Sequence, residues 1–271
     1  MKTNKYFRIA AISLLMTALS IVFDLIFNHF QNPISYAWQI LANLLIAGTL
    51  ALYIFKSKYS GLSLFIKVFI IYYVIGYFNI IIEAIIFNVS DLNQSIKILL
   101  IGLPYTAISS YLIVWILGKW QISEKVFKEY KYQHRPVFKW ILRILGANFS
   151  YFPFYIIAGM ILMMLNPAMN EFYGDKIPPF LTIAITNLFF RGFVFAAIAI
   201  LINKTLFGTQ RNKAIITGLI FAIIGGIAPL ITPNDLMPYT IRLGHGFEVG
   251  ISNYVFGYII SYMLRQKISL N

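Results

Sequence analysis

Apolar residues run along this chain in stretches too long for the core of an ordinary soluble domain. Eight stretches stand out: Phe7–Phe27, Trp38–Phe55, Leu62–Phe87, Ile98–Gly118, Trp140–Leu165, Phe180–Ile202, Ala214–Ile231 and Gly244–Leu264. A helix crossing a hydrocarbon layer about 30 Å thick needs about 20 mostly apolar residues. Each stretch meets that length, and the last is the least hydrophobic. The pattern predicts an all-α polytopic membrane protein with eight transmembrane helices. The first stretch follows a basic start, Met1–Arg8, and closes on Leu25-Ile26-Phe27. A cleavable signal has a shorter apolar core and small residues at its cleavage site, so this stretch is expected to remain as a helix.

The connections set direction. Lys2, Lys5 and Arg8 precede the first stretch. Lys56 and Lys58 occupy the second connection, six Lys and Arg between Lys119 and Lys139 the fourth, Lys204, Arg211 and Lys213 the sixth, and Arg265 and Lys267 the end. The first connection has neither Lys nor Arg, and the other odd ones have one each: Lys97, Lys176 and Arg242. By the positive-inside bias, both termini and the even connections are expected in the cytoplasm. The longest connection, Lys119–Lys139, is basic and amphipathic, with Trp120, Phe127 and Tyr130 among its charges. It suits an interfacial helix lying on anionic lipid headgroups, or a regulatory docking site. It would join halves 1–118 and 140–271 of one integral membrane domain. Leu103-Pro104-Tyr105-Thr106 and Asn43–Gly48 are echoed by Met237-Pro238-Tyr239-Thr240 and Asn187–Gly192. These echoes hint at a 4+4 parallel pseudo-repeat.

Composition narrows the field. Charged residues make up 11% of the chain and hydrophobic ones 59%, with mean hydropathy +0.76. A water-facing surface draws on roughly 25% charged residues, so lipid must cover most of this one. The net charge of +13 sits in short connections and not on one folded face, which argues against nucleic acid. With no cysteine, disulfide, thiolate and thiol-redox chemistry are excluded. The Ile/Phe/Asn/Lys bias suggests an AT-rich bacterial genome, and hence a bacterial plasma membrane.

Ionisable groups inside apolar spans are costly and mark functional positions. Ser13, Thr17, Ser20, Asp24 and Asn28 recur at helical spacing, as do Tyr72, Gly76, Asn79 and Glu83. Asn187 and Arg191 lie one turn apart. Arg242, His245, Glu248, Ser252 and Asn253 fall within roughly 140° of arc at 100° per residue. With the predicted directions, these groups collect in the outer half of the bilayer, where a water-accessible cavity is expected. Arg191, Glu83, Glu248, His245, Arg242, Asn187, Asn79, Asp24 and Asn253 are the candidate substrate contacts. The plain alternative is packing: Arg191 paired with Glu83 or Glu248, and amides joining helices. His245 could relay protons, but no metal-ligand spacing accompanies it. No metal or cofactor is expected, and no catalytic residue can be assigned.

Phosphate-loop, dinucleotide, nucleophile-elbow and zinc motifs do not occur. Thr186-Asn187-Leu188-Phe189-Phe190-Arg191-Gly192 resembles the first motif of the CAAX-type prenyl endopeptidase superfamily at its Arg-Gly end. Both glutamates of that motif are replaced, the family's later histidine is absent from the seventh stretch, and no catalytic role carries over. Three functions fit the pattern. The first is a transporter or exporter of a small anionic or amphiphilic substrate. The others are an intramembrane enzyme working on a lipid-linked or membrane-inserted substrate, and a non-catalytic assembly or immunity partner.

Overall fold

The computed structural model describes residues 4–27, 31–120, 135–233 and 237–265. Asn28 and most of the basic amphipathic segment, 121–134, lie outside them. The described chain is all-helical. In order come α1 (Lys5–Ile26), α2 (Pro33–Phe55), α3 (Gly61–Ile86), α4 (Leu92–Ile116), α5 (Val137–Leu165), the short α6 (Pro167–Tyr173), α7 (Phe180–Thr205), α8 (Gln210–Ile231) and α9 (Tyr239–Met263). Seven of these, all but α6 and α9, are long and apolar enough to cross a membrane. Large apolar side chains such as Leu14, Leu100, Met164 and Phe189 point outward, as a lipid-facing surface requires.

Local chemistry explains where the helices begin. Asn4, Asn32, Asp91 and Thr209 each accept a hydrogen bond from a backbone N–H of the first turn, at 3.1, 2.8, 2.8 and 3.3 Å. Such caps satisfy donors that the helix itself leaves open. The Asp91 cap starts α4 six residues before Ile98, among polar residues that hydropathy alone discounts. Helix α9 starts at Tyr239, directly after Pro238 and earlier than Gly244. Pro104 and Pro153 lie within α4 and α5, which continue through them.

Packing forms two groups that share a seam. Helix α1 packs on α2 and α4, and α3 on α4. Helix α9 packs most extensively on α8 and also on α5. Helix α8 is the centre, with 61% of its most apolar window buried, whereas α5 has 11% buried and is an outer wall. Three helices carry a π-helical turn: Val74–Phe78 in α3, Thr186–Arg191 in α7 and Ile223–Ile227 in α8. A π turn inserts a residue and releases backbone groups from the regular ladder. The turns of α3 and α8 pack against each other, Gly76 beside Ile224 and Gly225 beside Ile75. The repeat fragments occupy unlike positions: Leu103–Thr106 is deep within α4, whereas Met237–Thr240 opens α9.

One end of the bundle gathers basic side chains on helix C-termini. Arg8 Nη1 donates to Ile116 O at 3.3 Å, and Arg143 Nη1 to Met263 O at 2.8 Å. The last carbonyls of a helix lack partners and carry negative potential, so these cations cap α4 and α9.

Candidate functional site

At the opposite end, α3, α5, α6, α7, α8 and α9 surround a cavity of about 260 Å3. Its walls are apolar and include Met160, Met163, Met169 and Met237; its polar groups are Glu83, His245, Glu248, Tyr155 and Tyr173. Each is placed by its helix. Glu83 lies one turn before the end of α3. Tyr155 lies midway along α5. Tyr173 closes α6, whose start at Pro167 follows the preference of proline for the first helical position. His245 and Glu248 lie three residues apart on α9, on one face.

Glu83 is tied down on both oxygens. Its Oε2 lies 2.7 Å from Arg191 Nη2, and its Oε1 accepts a hydrogen bond from Tyr155 Oη at 2.9 Å. Arg191, 3% exposed at its side chain, also donates from Nη1 to Asn187 Oδ1 at 3.1 Å, and Asn187 Nδ2 donates to Ile183 O at 2.9 Å. The π turn of α7 spans Asn187 and Arg191, and Asn148 Nδ2 reaches Leu188 O within it at 2.7 Å. A buried cation needs a partner and further hydrogen bonds to offset desolvation. Arg191 has both, so its charge is answered inside the protein.

The second pair is looser. His245 Nδ1 lies 3.1 Å from Glu248 Oε2, without the alignment of a hydrogen bond. The Tyr173 ring is 6.2 Å from the imidazole, and the Phe87 ring 5.8 Å from Tyr173. Below them, Asn253 Nδ2 donates to Phe221 O and Gly225 O of α8 at 3.3 and 3.2 Å, and Tyr151 Oη donates to Asn253 Oδ1 at 3.3 Å. Asn253 therefore answers carbonyls around the α8 π turn, beneath the cavity wall at Gly225.

The nine candidate residues separate into groups. Glu83, His245 and Glu248 line the cavity; Arg191 and Asn187 stand behind Glu83, and Asn253 is deeper. Asp24 accepts a hydrogen bond from Tyr36 Oη at 3.0 Å between α1 and α2 and is not a cavity residue. Asn79 is fully buried with neither amide atom hydrogen-bonded, and Arg242 is buried with Nε and Nη1 unpartnered; neither lines the cavity. Among the described residues no cluster of His, Asp and Glu could hold a metal ion. Sequence reasoning missed Tyr151, Tyr155, Tyr173 and the methionines. The i, i+4 spacing of Tyr151 and Tyr155 puts both on one helix face, and Asn166-Pro167 is a signal for the start of α6. Comparison of the chain with family models, curated proteins and solved structures gives no match.

Proposed function

We propose that this chain is an eight-span plasma-membrane protein, bacterial by its composition, that takes an amphiphilic substrate into the cavity as a transporter or exporter. The carrying observation is the cavity itself: apolar, methionine-rich walls around two carboxylates and an imidazole. Methionine is adaptable and recurs at surfaces that bind varied apolar partners, and a few polar groups in an apolar cleft fix a ligand's orientation. The engagement of Arg191 by Glu83 favours an amphiphilic substrate over a small anion. Helix α9 is the eighth span in this reading. At 25 residues it is long enough, and Arg242, Ser252, Asn253 and Ser261 along it are buried in the protein. The basic end, with Arg8 and Arg143, faces the cytoplasm, and the cavity opens toward the outer side.

The test is movement of an amphiphilic dye across proteoliposomes. The wild-type protein should move it. Gly159→Phe should block movement without loss of insertion, because a Cβ at this cavity position meets nothing within 4 Å. If the wild-type protein moves no dye, transport is withdrawn. The His245–Glu248 contact supports a second reading, an intramembrane enzyme in which a carboxylate orients an imidazole as general base. Turnover of a lipid-linked substrate that is lost in His245→Gln would favour it.

A further inference from the structure

The cavity is unbalanced in charge. Its lining holds two carboxylates and one imidazole, and neither Lys nor Arg. Glu83 is already matched by Arg191, which stands behind it and outside the lining. Glu248 is not: among the described residues its one ion-pair neighbour is His245, a group that is charged only when protonated. Burial of a carboxylate without a cation is costly; His245 answers Glu248 only while it is protonated, whereas a cation in the cavity would answer it at any pH.

The walls specify what kind of cation fits. Phe87, Tyr155 and Tyr173 bring aromatic rings to the same space, with Phe87 and Tyr173 in edge contact at 5.8 Å. Aromatic faces attract cations, strongly so when the site excludes water. The four methionines add polarizable apolar contact. An inorganic ion would find too few oxygen ligands here, whereas a bulky organic cation uses all three features. Resting on the reading of this cavity as an amphiphile site, we propose that it binds a lipophilic organic cation, such as an alkylated ammonium, with Glu248 as its counter-ion.

Octyltrimethylammonium, octyl sulfate and octanol share a chain and differ in head charge. Their saturable binding to the full chain in lipid nanodiscs, corrected with empty nanodiscs, tests the proposal. The ammonium ion should bind at least tenfold more tightly than the other two. Glu248→Gln should bring it to the level of octanol, and Glu248→Asp should retain most of the preference. Equal binding of all three by the wild-type protein overturns the counter-ion but leaves the amphiphile site standing. Binding of none removes both. The wild-type comparison decides even if Glu248→Gln fails to fold.

Discussion

Glu83 and Arg191 show how a charge pair survives inside an apolar helical bundle. The guanidinium is almost wholly enclosed, and each partner has further hydrogen bonds, from Tyr155 on one side and to Asn187 on the other. Removing the acid alone strands a buried cation. Glu83→Ala should therefore lower stability by about 3–5 kcal/mol, read as thermal or denaturant unfolding in detergent. Replacing both, as Glu83→Leu with Arg191→Met, should recover much of the loss. A Glu83→Ala protein as stable as the wild type would contradict the enclosed pair. The sequence places Asn79 with Glu83, and Asn187 with Arg191, on shared helix faces through their i, i+4 spacing. It does not say which faces meet, because the partners are 108 residues apart.

Helices approach closely where glycine permits. On α9, a Cβ at Gly257 would lie 2.8 Å from Gly218 Cα of α8, and backbone cannot yield as a flexible side chain does. Gly257→Ala is expected to cost about 1–3 kcal/mol through overpacking. Gly48→Ala on α2, where a Cβ meets nothing within 4 Å, should be neutral or stabilising by up to about 1 kcal/mol, since alanine is the better helix former. Equal melting temperatures for the two variants would refute this packing. Gly218 and Gly225, seven residues apart, are legible as a packing stripe. The π turn at Ile223–Ile227 is not: it depends on Asn253 and the α3 turn meeting α8. The same holds for α6, a seven-residue helix too short to form alone, which acquires its place from Met169 and Tyr173 packing near Ile241.

At the scale of the molecule, topology can be read directly because the chain has no cysteine of its own. Single cysteines at Arg211 and Arg265 should react with a membrane-impermeant thiol reagent from the cytoplasmic side. Those at Asn170 and Tyr239 should react from outside. Labelling of Tyr239→Cys and Arg265→Cys from the same side would remove α9 as a span and leave the seven apolar helices.

Hydropathy by itself determined the helical class, the ends of the seven apolar helices to within six residues, and the faces that carry polar groups. These are local properties, set by the length and period of apolar runs against the thickness of a bilayer. Tertiary structure alone decided that Glu83 meets Arg191 and that Asp24 turns instead to Tyr36. It also decided that Tyr155, Tyr173 and four methionines complete a cavity with His245 and Glu248. Those outcomes depend on which helices become neighbours, and contacts between residues far apart in the chain leave no periodic trace in it.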